Sequence, residues 1–197
     1  MDAQSLEAAE VFPLTPEHWP DFEQLFGSHG AYGGCWCMWW RLPRQAFEAQ
    51  KGEANRQSFK AIVESGEEPG LLAYIAGQPV GWCAVAPRAS YPTLDHTQAL
   101  KAVDDQPVWS VPCFYIARQQ RQKGLSVALL HAAVAFAGAR GARIVEGYAV
   151  EPRKPRTPDP FAYTGLFSAF RQAGFVEVAR RSPTRPIMRF YLVPAGE

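Results

Sequence analysis

The chain has 197 residues, 47% of them hydrophobic and 20% charged. This length predicts a single domain over residues 1–197, with one sizeable core from about residue 10 to about residue 194. Twenty basic and nineteen acidic side chains leave a formal net charge of +1, without a run of like charges that could follow a phosphate backbone or an anionic membrane. Composition therefore argues against nucleic acid and membranes as partners.

The amino-terminal residues and the cysteines predict a cytoplasmic protein. Asp2, Glu7 and Glu10 stand where a secretory signal would carry basic residues followed by an apolar run. No stretch approaches the roughly 18 apolar residues of a membrane span. The cysteines are few and lack the spacing of a disulfide framework, at positions Cys35, Cys37, Cys83 and Cys113.

The first half of the chain predicts a strand, two helices and a hairpin. A short apolar run at 11–14 indicates the strand, and apolar residues at helical spacing over 19–26 indicate the first helix. A second helix is predicted over 44–65. Two apolar runs, 71–76 and 80–86, flank a short turn and indicate paired strands that are covered on both faces.

The second half begins with a long polar segment, 87–107, which we expect near a substrate opening because long loops in compact domains are usually functional. The strand predicted over 108–116 contains Pro112, which cannot donate to a ladder and so predicts a bulge or splayed pairing. Apolar residues at helical spacing over 125–136 predict the best helix of the chain.

The remaining pattern predicts a strand over 143–150, a last helix over 161–173 and two closing strands, 175–178 and 187–193.

The loop between the strand at 108–116 and the following helix has the composition of an anion site. A helix start directs unpaired N–H groups and a positive dipole end at one place, a glycine permits close approach, and two basic side chains add charge. The alternative is a glycine that only lets the chain turn. The predicted ligand-binding residues are Arg121, Gln122, Lys123, Gly124, Leu125 and Ser126.

Arg121-x-x-Gly124-x-Ser126 resembles the acetyl-CoA loop of the GNAT superfamily of N-acetyltransferases, which reads Gln/Arg-x-x-Gly-x-Gly/Ala. Serine at the last small position is a departure. The order of elements over 11–193 is also similar, as is the segment 170–175 to the superfamily's Leu-Tyr-x-Lys-x-Gly-Phe ending. The resemblance implies an α/β fold whose mixed, mostly antiparallel sheet of about six or seven strands carries helices on both faces and is splayed at the fourth strand.

The resemblance further implies that acetyl-CoA is the co-substrate and that its acetyl group passes directly to a primary amine of a small molecule or peptide. Backbone groups of Phe114, Tyr115 and Ile116 would line the pantetheine and thioester, with the Ile116 N–H facing the developing oxyanion. Homodimers are common among similar proteins. No metal is expected, and the acceptor stays open.

The attacking amine must lose a proton, and Glu146 is the candidate base because it lies in an otherwise apolar predicted strand. The alternative is a solvent-facing glutamate at an edge. The resembling enzymes commonly protonate the leaving thiolate with a tyrosine where this chain has Phe170. Tyr163, expected on the same helix, Tyr148 and Tyr115 are substitute acids, unless they are packed core residues.

Residues 35–40, here called the tryptophan segment, allow two interpretations. Cys35-x-Cys37 suggests a metal, but the other cysteines and the histidines lack paired ligand spacing. Trp36 and Trp39 are predicted to form a wall of the amine pocket, because aromatic faces attract cations. The alternative is core packing.

Two further functions compete with the enzyme. One is a catalytically silent acyl-CoA-binding or regulatory domain of the same fold, since Phe170 replaces the usual tyrosine. The other is a thiol sensor in which oxidation joins Cys35 to Cys37, although such a short ring is strained.

Overall fold

A seven-stranded sheet forms the centre of the computed structural model, which describes residues 9–152 and 163–192. The strand order is β1-β2-β3-β4-β5-β7-β6, and only β4 and β5 pair in parallel. The strands are β1 (Glu10–Pro13), β2 (Gly70–Ile75), β3 (Gln78–Pro87), β4 (Trp109–Ile116), β5 (Ile144–Tyr148), β6 (Val176–Arg180) and β7 (Pro186–Tyr191). The mixed, mostly antiparallel sheet confirms the predicted fold class.

Helices cover both faces of this sheet. On one face α4 (Leu125–Gly138) packs against β2 and β3 through its apolar side, and α5 (Phe167–Gln172) packs beside it. On the other face lie α1 (Trp19–Phe26), α2 (Arg44–Ala49) and α3 (Glu53–Glu64). Their aromatic side chains surround Trp82 of β3, which is fully buried. The two covers explain why β2 and β3 read as continuous apolar runs.

The helix predicted over 44–65 is in fact two helices, α2 and α3. Gly52 lies between them with a φ of 85°, and its N–H donates to the Gly34 carbonyl at 3.1 Å instead of continuing a helix. This bond holds Gly34, the residue before Cys35, against the start of α3.

The last helix is also shorter than predicted over 161–173. It begins at Phe167, so Tyr163 lies in the preceding turn and not on the helix. Residues 161 and 162 fall outside the described residues.

The polar segment 87–107 is ordered into three short 3-10 turns, Arg88–Ser90, Pro92–His96 and Gln98–Leu100. Its apolar side chains Leu94 and Leu100 are buried in a third cluster over the sheet. The segment is therefore a cover for β4, β5 and β7, with its polar residues directed at the charges described below.

Candidate active site

The strands β4 and β5 separate beyond a short parallel contact. They pair only from Trp109 to Val111 on β4, against Val145 to Gly147 on β5. Opposite Pro112 the register of β3 and β4 shifts between Ala84 and Ala86. Both observations confirm the bulge and the splayed pairing predicted from proline, which has no N–H to offer. We call the gap beyond Val111 and Gly147 the splay.

Two aromatic residues, Trp40 and Tyr163, form hydrogen bonds with the main chain of β4 at the edge of the splay. The indole N–H of Trp40 donates to the Pro112 carbonyl at 3.1 Å, and the Phe114 N–H donates to the Tyr163 carbonyl at 2.6 Å. The two rings stack, with centroids 6.3 Å apart. Burial raises the pKa of Tyr163 to about 12, so its hydroxyl stays protonated near neutral pH.

The N–H of Ile116 points into the splay, as that of Phe114 does, because alternate residues of a strand direct their N–H groups to the same side. The Ile116 carbonyl accepts the Nε–H of Arg121 at 3.0 Å. Tyr115, between them, directs its half-buried ring to the other face, where it contacts Phe26 at a centroid distance of 5.4 Å. Only its main chain, whose own N–H points to β3 by the same alternation, can border the splay.

The predicted anion loop leads directly from β4 into α4. Gln122 and Gly124 both have left-handed φ values, 62° and 81°, and such turns point successive N–H groups into a concavity. A Cβ added to Gly124 would meet no atom within 4 Å. Lys123 is exposed and Ser126 is half-exposed, whereas the Leu125 side chain is buried against the sheet. Leu125 can therefore reach a ligand only through its N–H.

Glu146 is buried, so the alternative of a solvent-facing edge residue is wrong. It lies between Ser110 of β4 and Arg189 of β7 in the strand register. Its carboxylate accepts hydrogen bonds from Arg189 Nε at 2.8 Å, Arg88 Nη1 at 3.1 Å and the Tyr148 hydroxyl at 3.0 Å. The apolar surroundings expected for this side chain are thus replaced by two guanidinium groups.

Further hydrogen bonds extend this group into what we call the carboxylate network. The fully buried Tyr148 hydroxyl lies 2.7 Å from Ser110 Oγ, and burial raises the pKa of Tyr148 well above its usual value. Arg189 binds both oxygens of Asp104 at 2.7 and 2.9 Å, and Arg88 binds Asp95 at 2.5 Å. Both aspartates come from the 87–107 segment.

The tryptophan segment divides between core and splay. Trp36 is buried among Phe22 and Phe26, at centroid distances of 6.2 and 5.9 Å, as the core-packing alternative expects. Trp39 is only half-buried and contacts Trp40 and Phe47. Trp39 therefore lies beside Trp40 at the splay, whereas Trp36 belongs to the aromatic core.

The structure joins some of the predicted site residues and separates others. The anion loop is continuous with residues 114–116, Glu146 contacts Tyr148, and Tyr163 reaches Phe114. Arg88 and Arg189 could not be identified from the sequence, because their partners lie far away in the chain. Trp40 belongs to the tryptophan segment, but its bond to the Pro112 carbonyl could not be predicted. Among residues 9–152 and 163–192, no three His, Cys, Asp or Glu side chains are arranged to hold a metal ion, and no described helix is long and apolar enough to cross a membrane.

Solved structures with the same fold cover nearly the whole chain. The PaiA N-acetyltransferase of Thermoplasma acidophilum, solved with coenzyme A, is 13% identical, with a TM-score of 0.52 over 94% of this chain and 99% of its own. A GNAT-family acetyltransferase of Listeria monocytogenes is 10% identical, with a TM-score of 0.57 over 93% and 95%. One from Streptococcus pneumoniae is 12% identical, with a TM-score of 0.54 over 94% and 100%. At these identities the likeness concerns the fold.

The sequence itself gives the family. No curated protein matches the chain, but the family model described as the acetyltransferase (GNAT) family matches residues 36–156, more than half of its length. The matched region contains residues 36–40 of the tryptophan segment, β4, the anion loop, α4 and β5. The chain therefore belongs to the acetyltransferase (GNAT) family.

Proposed function

We propose that the protein moves the acetyl group of acetyl-CoA directly to a primary amine of a small molecule or peptide. Family membership supports acyl transfer from coenzyme A as the general chemistry. The observation that carries the proposal is the continuity of the splay with the anion loop: β4 opens away from β5 at Pro112 and leads, through Arg121, into the start of α4.

The cofactor would lie along this path. The concavity at Arg121–Ser126 suits a pyrophosphate, because the helix start, its dipole and Lys123 all favour negative charge. Pantetheine would run beside Phe114, Tyr115 and Ile116 as a neighbouring strand does. The Ile116 N–H, directed to the splay, would then donate to the thioester oxygen as negative charge develops there.

Glu146 would accept the amine's proton through Tyr148. The Tyr148 hydroxyl donates to Glu146 at 3.0 Å and can accept from Ser110 Oγ, so a proton arriving at this hydroxyl can pass to the carboxylate. Tyr163 is the proposed acid for the leaving thiolate. Its ring stacks beside the splay, and its proton is retained at neutral pH.

Trp39 and Trp36 would form the acceptor wall. Trp39 supplies the half-exposed aromatic face that can attract an ammonium or a ring, and Trp36 supports it from the core. The tests below separate these two contributions.

A catalytically silent acyl-CoA-binding domain is the second candidate. Phe170 stands where similar enzymes carry the acid tyrosine, and it is fully buried against Gly147 and Phe114. It cannot donate a proton. The anion loop does not depend on this acid, so such a protein would still bind acyl-CoA.

One experiment separates the two candidates. The protein is mixed with acetyl-CoA and a library of amines, and free coenzyme A is quantified by chromatography, which the four protein thiols do not disturb. Acetyl-CoA binding is measured in parallel by calorimetry. Amine-dependent release supports the transferase, and tight binding without release on any amine supports the silent domain.

We also propose that the chain works as one domain in the cytoplasm, alone or as a homodimer. Cys35, Cys37, Cys83 and Cys113 are all free thiols, which is typical of proteins from reducing compartments.

A further inference from the structure

The inner end of the splay is filled by the chain itself. Residues 163–167, here called the wedge, lie between the two strands that separate there. On one side the Phe114 N–H of β4 donates to the Tyr163 carbonyl at 2.6 Å. On the other side the Val150 N–H, just beyond β5, donates to the Gly165 carbonyl at 2.8 Å. The wedge thus takes the place that a continued ladder between β4 and β5 would have.

The wedge is held firmly, chiefly from the β5 side. The Phe167 N–H donates to the Val150 carbonyl at 2.9 Å, which adds a second bond on that side. Gly165 has a φ of 93°, and a Cβ added to it would lie 2.7 Å from the Phe170 ring and 2.9 Å from the Phe114 ring. Two of the three main-chain bonds go to the β5 side, so the wedge keeps its place if the cofactor takes over the bond to β4.

Trp40 closes the same end of the splay from the tryptophan segment. Its indole N–H donates to the Pro112 carbonyl at 3.1 Å, and Pro112 is the first residue of β4 beyond the part that pairs with β5. Its ring stacks on that of Tyr163, with centroids 6.3 Å apart and planes inclined by 26°. Trp40 is only 8% exposed. The two rings form a closed aromatic surface, here called the donor wall.

Trp40 is held in place through both its main chain and its ring. The Thr93 hydroxyl donates to the Trp40 carbonyl at 2.7 Å. The ring belongs to the buried cluster that contains Leu94 and Tyr148, both of them fully buried. Because protein interiors are closely packed, the ring cannot swing aside without opening a void. The donor wall is therefore rigid, which discrimination between acyl chains of different length requires.

The free part of β4 runs from the donor wall to the anion loop. Resting on the proposed function, the thioester oxygen faces the Ile116 N–H, and the pantetheine extends from there towards Arg121. The acyl group then points the other way, towards Phe114 and the donor wall. Ile116 lies two residues from Phe114, about 7 Å along an extended strand. This interval accommodates an acetyl group, whereas a longer acyl chain would meet the aromatic rings.

We propose that Trp40 determines the donor: its ring, stacked on Tyr163, ends the space for the acyl group and restricts the protein to acetyl-CoA among acyl-CoA molecules of increasing chain length. Trp40 acts through its shape and exchanges no proton in the reaction. Cavities left by shortened core side chains can bind apolar molecules. A smaller side chain at position 40 should therefore open room for a longer acyl chain.

The test compares acetyl-, butyryl- and hexanoyl-CoA as donors, by coenzyme A release with an amine and by calorimetric affinity. For the wild type, kcat/KM should fall by about tenfold or more from acetyl- to hexanoyl-CoA. Trp40→Leu should reduce this preference by about tenfold. Trp40→Phe loses the bond to Pro112 but keeps a ring beside Tyr163, so it should keep the wild-type order of donors. Trp19→Leu, at a buried tryptophan of α1, is the control for general loosening and should also keep that order.

A wild type that uses hexanoyl-CoA as well as acetyl-CoA would overturn the proposal, however the variants fold. An unchanged donor preference in Trp40→Leu, or an equal change in Trp19→Leu, would also overturn it. Calorimetry separates this result from the proposed function. If no amine releases coenzyme A, the transferase is refuted, and the donor wall is then judged by affinity alone: acetyl-CoA should bind about tenfold more tightly than hexanoyl-CoA, and Trp40→Leu should remove the difference.

Discussion

The main-chain N–H of Phe114 donates to the carbonyl oxygen of Tyr163 across the splay, at 2.6 Å. In the proposed complex this N–H faces the pantetheine, so cofactor entry would exchange one backbone acceptor for another. The same bond holds the Tyr163 ring against Trp40, whose indole in turn caps the Pro112 carbonyl. The turn that contains Tyr163 therefore accepts the Phe114 N–H and also places an aromatic ring beside the splay.

Tyr163→Phe tests the proposed acid without disturbing that turn. The variant keeps the carbonyl and the stacked ring but removes the hydroxyl. If Tyr163 protonates the leaving thiolate, kcat should fall by about tenfold to a hundredfold while acetyl-CoA affinity is unchanged, as measured by steady-state kinetics and calorimetry. An unaltered kcat would remove Tyr163 from the mechanism, and Tyr148→Phe would then be the variant to examine.

Gly124→Ala tests the anion loop. The added methyl group would stand in the open concavity and should weaken acetyl-CoA binding by about tenfold, or about 1.4 kcal/mol. Gly141→Ala is a matched control, because Gly141 has nearly the same φ, 82° against 81°, and equal free space, but lies just beyond the other end of α4. Both variants should lose about 1–2 kcal/mol of stability from the left-handed backbone. Equal acetyl-CoA affinities of the two variants would contradict the loop's assignment.

Glu146→Gln tests the proposed base. Removing this charge leaves Arg88 and Arg189 without their shared carboxylate, which should cost about 3–5 kcal/mol in the free energy of unfolding. If Glu146 takes the amine's proton, kcat should also fall by about a hundredfold or more. Asp104→Asn is the control, because it perturbs the same Arg189 from the exposed end of the network. A similar kcat loss in both variants would show that Glu146 acts only through structure.

The Asp104–Arg189 pair predicts a specific pH dependence of stability. The Arg189 hydrogen bonds hold the pKa of Asp104 well below its usual value. A depressed folded pKa contributes stability that is present above the unfolded value of about 3.9 and is lost as the pH falls further. The urea midpoint of the wild type should therefore exceed that of Asp104→Asn near neutral pH, and the difference should shrink below about pH 4. A difference that persists undiminished would refute this assignment.

Two alanine variants separate the acceptor wall from its support. Trp36→Ala removes a buried side chain and should cost about 3–5 kcal/mol of stability. Trp39→Ala removes a half-exposed one, so it should raise the acceptor KM while sparing both fold and acetyl-CoA affinity. Thermal unfolding and acceptor titrations measure the two effects. A Trp39→Ala enzyme with unchanged KM would place the acceptor elsewhere.

Local chemistry explains which features could be predicted from the sequence. Pro112 cannot donate to a ladder, and the splay follows from that one missing hydrogen. The helical spacing from Leu125 predicted α4, and Gly124 predicted the turn before it. In each case the cause lies within a few residues of its effect.

The features that were missed depend on distant partners. Arg88 and Arg189 lie 58 and 43 positions away from Glu146 in the chain, so nothing beside Glu146 indicated that two arginines would surround it. The sequence predicts one helix across Gly52, but the Gly52 N–H donates to the distant Gly34 carbonyl, and one helix ends and another begins there. The Cys37 sulfur likewise accepts its hydrogen bond from Trp82 on β3, 45 positions away in the chain.

The place of β7 in the sheet also has a consequence for how the chain folds during synthesis. β7 lies between β5 and β6 although it follows both in sequence, so β5 keeps an open edge until residues 186–191 have been made. Until then Glu146 lacks its ion pair with Arg189, so burial of its charge is unfavourable. The carboxyl-terminal half of the sheet should therefore assemble in one late step, and nascent chains that stop short of β7 should remain exposed to proteases and chaperones.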